Sequence, residues 1–268
     1  MHGENRGIPP INEEKTVETI CNFLKDRLRQ SKTEGVVIGL SGGLDSSTTA
    51  YLCERAFGRD NILGLVMPSE TTSKEDVKDA VKVAEALGIE YETVEVDDLI
   101  SPFKDLCIHS GEGYNAALAG ANLKARMRML ILYYHANAMK RLVVGTGNRT
   151  ELLVGYFTKY GDGGVDVLPI GDLYKNHVRA LASHLKVPVE IIEKAPTAGL
   201  WAGQTDEDEL GMKYETLDNL LYLLVDEKME DQEIADELEI PVEEVLRIGG
   251  MVLAAEHKLK PAPIALVR

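Results

Sequence analysis

The sequence predicts an α/β fold in which a doubly wound, mostly parallel sheet is flanked by helices. Two observations predict it. Short apolar, β-branched runs alternate with helical patterns about every 25 to 30 residues, which is the length of a strand–helix unit. The first apolar run also ends at a Gly-Gly turn that leads into a helical pattern. The chain has 268 residues and a hydrophobic content of 44%, and we expect one domain over residues 1–268.

The elements follow in order along the first half of the chain. Residues 12–31 place apolar side chains on one helical face, and the apolar run at 36–40 is typical of a buried parallel strand. A helix follows the Gly-Gly turn, and Gly88 ends the next helix. We therefore predict strands at 36–40, 61–67, 90–96 and 141–145, and helices at 12–31, 74–87 and 118–140.

The second half of the chain is less regular. A Gly/Asp-rich loop covers 155–166, a short extended piece and a helix occupy 168–187, and an acidic loop is predicted at 196–212. Residues 233–252 resemble a helix-turn-helix, but Glu243 and Glu244 would face the phosphates of DNA. We expect a packed helical hairpin there instead.

Composition excludes several classes of protein. The net charge of −15 argues against nonspecific binding to nucleic acid, and no apolar run is long enough to span a membrane. The N-terminal residues do not form a signal peptide. The three cysteines are far apart in the sequence, which favours neither a disulfide framework nor a CxxC site. We expect a cytoplasmic protein that binds neither nucleic acid nor membranes.

The turn at Ser41-Gly42-Gly43 is the most informative feature of the sequence. A strand, a glycine turn and a helix N-terminus together form an anion site, because unpaired backbone N–H groups and the helix dipole point at the ligand. The segment is not a Walker A motif, since it lacks the Lys-Ser/Thr pair. It carries Asp45 instead, and a carboxylate beside phosphates predicts Mg²⁺ between them. The alternative is a turn that only joins a strand to a helix.

The predicted sheet indicates where a ligand would lie. Ligands of open α/β sheets bind at the carboxyl ends of the strands, near the point where the strand order reverses. We therefore expect the site at the ends of the strands at 36–40, 62–67 and 142–145.

The turn also resembles a known family. The sequence SGGLDSS at 41–47 is similar to the pyrophosphate-binding loop of the N-type ATP pyrophosphatases, which have an adenine nucleotide alpha hydrolase-like fold. That loop alone leaves several enzymes open, among them GMP, asparagine and argininosuccinate synthetases and tRNA-modifying enzymes. Further segments resemble NAD synthetase in order: NLKARMR at 122–128, GTGNRTE at 145–151, GYFTKYGDGG at 155–164, PTA at 196–198, DELG at 208–211 and EHK at 256–258.

The resemblance implies a reaction. NAD synthetases are C–N ligases that convert the nicotinate carboxylate of deamido-NAD into the amide of NAD, the last step of NAD biosynthesis. ATP is the co-substrate, an acyl-adenylate is the intermediate, and AMP and pyrophosphate are released. The sequence has no glutaminase domain, which implies ammonia as the nitrogen source unless a separate glutaminase chain supplies it. The resemblance also implies a homodimer.

The resemblance implies roles for particular residues. Asp45, Asp162 and Lys175 are expected to be catalytic, with Asp162 orienting ammonium or taking its proton. Asp45 and Glu151 are expected to hold Mg²⁺. The expected ATP-binding residues are Gly39, Leu40, Ser41, Gly42, Gly43, Leu44, Asp45, Ser46, Thr146, Lys175 and Thr197. The expected deamido-NAD-binding residues are Arg126, Lys159, Asp166, His257 and Lys258.

Two loops are candidate lids over the substrates. They are Pro68–Asp76 and Gly203–Glu209, whose polar composition fits mobile segments that exclude water from an adenylate. Trp201, beside the second loop, has no role that the resemblance assigns.

Two other functions stay open at this point. One is a different ATP-pyrophosphatase amide ligase. The other is a nonenzymatic nucleotide-binding regulator, which would keep the glycine turn but need not keep Asp45, Glu151, Lys175 and Thr197 together. Without the resemblance, Glu151 would be interpreted as a solvated acid in the first turn of a helix, and Lys175 as a surface residue.

Overall fold

A computed structural model describes residues 7–107, 116–197 and 205–267. Its sheet has four parallel strands in the order β3-β2-β1-β4. The strands are β1 (Gly35–Leu40), β2 (Ile62–Val66), β3 (Glu90–Thr93) and β4 (Arg141–Val144). The order reverses between β1 and β4, so the carboxyl ends of these two strands form the switch point where ligands bind in such sheets.

Helices occupy most of the remaining described chain. In order they are α1 (Glu13–Ser31), α2 (Leu44–Phe57), α3 (Lys74–Leu87), α4 (Asp97–Leu106), α5 (Ala116–Ala138), α6 (Arg149–Val154), α7 (Lys175–Leu185), α8 (Val189–Ile192), α9 (Asp206–Leu210), α10 (Tyr214–Leu221), α11 (Asp231–Leu238) and α12 (Val242–Leu259). A short 3₁₀ turn at Arg59–Asn61 precedes β2, and a π-helical turn at Tyr222–Asp226 follows α10. No helix in these ranges is long and apolar enough to cross a bilayer.

Helices cover both faces of the sheet, as predicted. Because successive strand residues point to opposite faces, Val36 and Ile38 pack with residues of α1, α2, α3 and α7, whereas Val37 packs with residues of α4 and α5. The doubly wound arrangement is therefore confirmed.

The predicted strands and long helices lie where expected, apart from their ends. The strand predicted at 90–96 is shorter, because the backbone enters α4 at Asp97. An isolated parallel bridge joins Val144 to Val167 and extends the sheet beside β4. Val167 directly precedes the range 168–187, for which a short extended piece and a helix are predicted, and that helix is α7.

The prediction of a continuous loop at 196–212 was wrong. Residues Asp206–Leu210 form α9, whose N-cap Thr205 accepts a hydrogen bond from the backbone N–H of Asp208. Four acidic residues follow the cap in the first turn, where the helix dipole favours negative charge. The acidic composition therefore stabilises a helix start.

The last helices form a second apolar cluster beside the sheet. Ile234 and Ala235 of α11 are buried together with Val245 and Ile248 of α12. The hairpin predicted in place of a DNA-binding motif is confirmed. This cluster also includes α10, so it fixes the position of α10 next to α6 and α7.

Candidate active site

The Gly-Gly turn connects β1 to α2 at the carboxyl edge of the sheet. Gly42 has a φ of +75°, and a Cβ placed there would lie 2.2 Å from the backbone oxygen of Asp76. Only glycine fits such a left-handed, crowded position. The first turn of α3 is therefore packed directly against the Gly-Gly turn.

Hydroxyl groups brace the turn from within. The Ser46 Oγ lies 2.9 Å from the Ser41 Oγ and donates to the Gly43 oxygen at 3.1 Å. Ser46 is buried, whereas Ser41 is exposed to solvent. The predicted ATP contact of Ser41 is therefore accessible in this structure, while the hydroxyl of Ser46 already shapes the turn.

Asp45, in the first turn of α2, faces the end of β4. Its Oδ1 accepts a hydrogen bond of 3.1 Å from the Nδ2 of Asn148, which follows β4. Asn148 is fully buried and also caps α6. The segment after β4 is thus tied to the segment after β1, across the switch point.

Lys175 brings two carboxylates together. Its Nζ lies 2.5 Å from the Oδ2 of Asp45 and 3.3 Å from the Oε1 of Glu151. Lys175 is only 2% exposed, so its interpretation as a surface residue, which the sequence alone favours, was wrong. The residues predicted to hold metal and phosphate therefore form one cluster.

Glu151 is a largely buried carboxyl group whose ionised form is only partly stabilised by the start of α6. Its side chain accepts from the Asn148 backbone N–H at 3.2 Å, while Asn148 accepts from the Glu151 N–H in a reciprocal capping box. Burial, the largest cause, and the charge of Asp45 together raise the pKa of Glu151 to about 8, against the opposing effects of Lys175 and Asn148. The positive charge near Glu151 is therefore too small to keep the pKa of its carboxyl group at the usual value.

The ammonium of Lys175 is nevertheless held in its charged form. Burial would lower its pKa, but Asp45 and Glu151 outweigh burial and raise the pKa above its usual range. The Nζ also lies 5.0 Å from the ring centroid of Tyr214, a cation–π contact.

The two carboxylates fit a Mg²⁺ ion. No group of three or more His, Cys, Asp or Glu side chains suited to a metal occurs within the described ranges. Mg²⁺ commonly uses only one or two carboxylates together with water and substrate phosphates. The raised pKa of Glu151 shows that this cluster would be stabilised by another cation. Asp45 and Glu151 would hold the ion beside the phosphate-binding turn.

Three of the residues predicted to bind deamido-NAD are linked by hydrogen bonds, and Lys258 follows one of them in the chain. The Arg126 guanidinium donates to the Lys159 oxygen at 3.4 Å, and the Lys159 ammonium donates to the His257 oxygen. Lys258 donates to the oxygens of Gly155 and Phe157, at 2.6 and 2.9 Å. These contacts join α5, the loop after α6 and the end of α12 into one basic region.

Asp166 lies apart from this chain of contacts, beside β4. Its carboxylate accepts hydrogen bonds from the Tyr133 hydroxyl at 2.9 Å and from the Val143 N–H at 2.8 Å. The Tyr133 pKa is raised by burial and by this carboxylate. A dinucleotide contact of Asp166 would have to use what remains of its hydrogen-bonding capacity.

Asp162 lies in the glycine-rich loop after α6. Its Oδ1 accepts a hydrogen bond of 2.9 Å from the Thr158 N–H. Surrounding protein atoms raise the pKa of Asp162, although the residue keeps one solvent-exposed side. An exposed acidic residue with a raised pKa suits the expected contact with ammonium.

The remaining predicted residues lie at the edges of this site. Gly39 and Leu40 end β1, Leu44 starts α2, and Thr146 is half-buried just after β4. Thr197 is exposed at the end of a described range. Of the predicted lids, 68–73 is a loop before α3, and 205–209 includes the start of α9. Trp201 and residues 203 and 204 lie outside the described residues.

Sequence reasoning assigned no role to Asn148, Tyr214, Thr150 or Asp218. Asn148 had a usable signal, because Asn followed three residues later by Glu is a capping pattern. No local sequence pattern marked Tyr214 or Asp218, since both residues reach the site through tertiary packing of α10.

The chain is similar to known proteins over nearly its whole length. Residues 16–262 match the family model for NAD synthase. The NH(3)-dependent NAD(+) synthetase of Archaeoglobus fulgidus is 50% identical over 259 residues, which cover 96% of this chain and 99% of that protein.

Two solved structures are also similar. The NMN synthetase from Francisella tularensis has a TM-score of 0.83 and 34% identity, with 95% of this chain and 99% of that chain covered. The NH3-dependent NAD synthetase from Campylobacter jejuni has a TM-score of 0.79 and 28% identity, with 96% and 100% covered.

Proposed function

The chain belongs to the NAD synthase family, and from this premise we propose that it converts deamido-NAD into NAD with ATP and ammonia. The observation that carries the mechanism is the cluster at the switch point. A glycine turn built for phosphate, two carboxylates and a buried ammonium meet there. A nonenzymatic regulator would not need this cluster, because it has no developing charge to stabilise.

The first step activates a poor electrophile. A carboxylate does not react with ammonia directly, since oxide would have to leave. An oxygen of the nicotinate carboxylate attacks the α-phosphorus of ATP, a new P–O bond forms, and the bond to pyrophosphate breaks. Catalysis of this step consists mainly of alignment and charge neutralisation.

The residues of the cluster divide this work. The N–H groups of the Ser41–Ser46 segment orient the phosphates, and Lys175 stabilises the charge that develops on the leaving pyrophosphate. Asp45 and Glu151 would hold Mg²⁺, which would supply further neutralisation of the phosphates.

The second step forms the amide. Ammonia attacks the carbonyl carbon of the adenylate, the C–O bond to AMP breaks, and the nitrogen loses a proton. Ammonium is the main form in neutral solution, so a carboxylate must attract it and accept a proton. Asp162 serves this purpose, because its carboxylate is accessible and its pKa is raised.

The acceptor lies against the basic region around Arg126 and Lys159. In a chain with a net charge of −15, such a local group of cations is needed to hold a dinucleotide diphosphate. A mononucleotide acceptor is the second candidate, because one similar structure is an NMN synthetase. Comparing kcat/KM for nicotinate mononucleotide and for deamido-NAD distinguishes the two.

The working state is proposed to be a cytoplasmic homodimer. The outward face of α5 supports this, since Leu130 is 55% and Tyr134 is 74% exposed. Tyr133 contributes less to this face, because it is half-buried and bonded to Asp166. Light scattering on the purified protein tests the dimer, and a monomer at micromolar concentration would contradict it.

Isotope transfer tests the adenylate directly. Deamido-NAD labelled with ¹⁸O in the nicotinate carboxylate should give AMP carrying one ¹⁸O atom, because that oxygen bridges carbon and phosphorus in the intermediate. Mass spectrometry of the AMP provides the readout, and unlabelled deamido-NAD in ¹⁸O water provides the control. Unlabelled AMP formed together with NAD would refute this route.

A further inference from the structure

A buried hydrogen-bond relay lies beside Lys175 and Glu151. The relay consists of the Thr150 hydroxyl and the Asp218 carboxylate, and both residues are fully buried. Thr150 precedes Glu151 on α6, whereas Asp218 lies on α10. Neither side chain is among the contacts that the proposed chemistry uses.

The relay binds the first residues of α7. The Lys175 N–H donates to the Thr150 Oγ1 at 3.0 Å, and the Asn176 N–H donates to the Asp218 Oδ2 at 2.8 Å. The N-cap of α7 is Tyr174, which makes no side-chain cap of its own. Two N–H groups that a helix start leaves unpaired are therefore capped from two other helices.

The two side chains of the relay also form a hydrogen bond with each other. The Thr150 hydroxyl donates to the Asp218 Oδ1 at 2.5 Å while it accepts from Lys175. The Thr150 hydroxyl thus acts once as a donor and once as an acceptor. The Asp218 carboxylate accepts one hydrogen bond from α6 and one from α7. Such a network fixes the relative positions of the helices it joins.

We propose that Thr150 and Asp218 are positioning residues, which set the distance between the Lys175 ammonium and the Glu151 carboxylate for the first chemical step. Lys175 is the residue capped by Thr150, and Glu151 is the residue next to Thr150. A shift of α7 against α6 would change the contact between their charged groups, which is 3.3 Å. This inference rests on the proposed roles of Lys175 and Glu151.

The test compares kcat for variants of the relay in the purified full-length protein. Thr150→Val removes the hydroxyl at constant shape, and kcat is expected to fall about 10- to 100-fold, as for a small misplacement of reacting groups. The KM for deamido-NAD is expected to change less than about threefold, because its binding residues are untouched. Thr150→Ser keeps the hydroxyl and should restore kcat to within about threefold.

A matched control separates this role from a loss of packing. Thr49→Val makes the same change at another fully buried threonine, whose hydroxyl has no hydrogen-bond partner among the described residues. It should leave kcat unchanged. If Thr150→Val does not fold, Asp218→Asn disrupts the same relay, because its amide nitrogen presents a donor where an N–H or a hydroxyl already donates.

A double-mutant cycle with Lys175→Met decides between positioning and general stabilisation. If the relay acts through Lys175, Thr150→Val should lower kcat less than about threefold further in the Lys175→Met background. An equal loss in both backgrounds would overturn the inference. So would a low kcat for Lys175→Met combined with an unaltered kcat for Thr150→Val, and that result would leave the proposed function intact. An unaltered kcat for Lys175→Met would instead overturn the proposed role of Lys175, and this inference with it.

Discussion

Replacing Lys175 by Met should affect stability and catalysis in different ways. The side chain keeps its length but loses its charge, so Asp45 and Glu151 are left as two carboxylates with a shared counter-ion removed. Removing one partner of a buried ion pair typically costs about 3–5 kcal/mol. Because the pKa of Glu151 is already about 8, protonation at pH 7 relieves part of the repulsion. We therefore expect a loss at the lower end, about 3 kcal/mol.

The loss can be measured as a melting temperature. A protein of this size loses about 2–4 °C per kcal/mol, so Tm should fall by about 6–12 °C in EDTA. Mg²⁺ should restore part of the loss, because a divalent cation can replace the missing charge between the carboxylates. The kcat for NAD formation should fall about 10²- to 10³-fold, as for the loss of one preorganised charge-stabilising group.

The matched control is Lys82→Met. Lys82 also forms an ion pair, with Glu190, but both side chains are about half exposed, and such pairs contribute little. Tm and kcat should stay close to those of the unaltered protein. An unchanged Tm in Lys175→Met, together with a kcat within about threefold of the unaltered protein, would refute the proposal that the Lys175 charge stabilises both the carboxylate cluster and the leaving pyrophosphate.

Three further predictions concern other parts of the site. Gly42→Ala should abolish ATP binding, measured by calorimetry, and lower the free energy of unfolding by at least about 2 kcal/mol, because its Cβ would lie 2.2 Å from the Asp76 oxygen. Gly58 also has a positive φ, but a Cβ there would meet no described atom within 4 Å, so Gly58→Ala should bind ATP normally, and equal ATP affinities of the two variants would contradict this. Tyr214→Phe should keep kcat within about threefold while Tyr214→Leu lowers it, since only Phe keeps a ring 5.0 Å from the Lys175 ammonium; equal kcat values would show that the ring face is unimportant. In EDTA, the free energy of unfolding should fall as pH rises from about 5 to 8, because the raised pKa of Glu151, about 8, lets the folded state keep a proton that the unfolded state releases. Urea unfolding of Glu151→Gln should show a weaker dependence of this free energy on pH, and an unchanged dependence would contradict the prediction.

Local patterns in the sequence were sufficient for the fold class. The continuous apolar runs of buried parallel strands and the 3.6-residue period of amphipathic helices are local patterns, so β1, β2 and α3 lie within one residue of their predicted bounds. α9 was missed because its five residues are too few for an amphipathic period, and only its cap chemistry marks it. β3 was predicted too long, since it is an exposed edge strand that α4 terminates.

The candidate site was predictable in part. The phosphate turn and Asp45 follow from local sequence, because a glycine turn between a strand and a helix has few other uses. The contact between Asp45 and Lys175 joins positions 130 residues apart, which no local pattern encodes. The family resemblance placed both residues in the ATP site but did not predict their direct contact. The relay of Thr150 and Asp218 was missed for the same reason, since α10 reaches the site only through tertiary packing.

The most direct test of the central claim is an analysis of products with the purified chain. Mg²⁺-ATP and deamido-NAD would be supplied with either ammonium or glutamine, and NAD, AMP and pyrophosphate would be quantified by chromatography. We predict equal amounts of NAD, AMP and pyrophosphate with ammonium, and no NAD with glutamine. Cleavage of ATP to AMP without NAD in the presence of ammonium would contradict the proposed acceptor, and no turnover of ATP would contradict the enzymatic function itself.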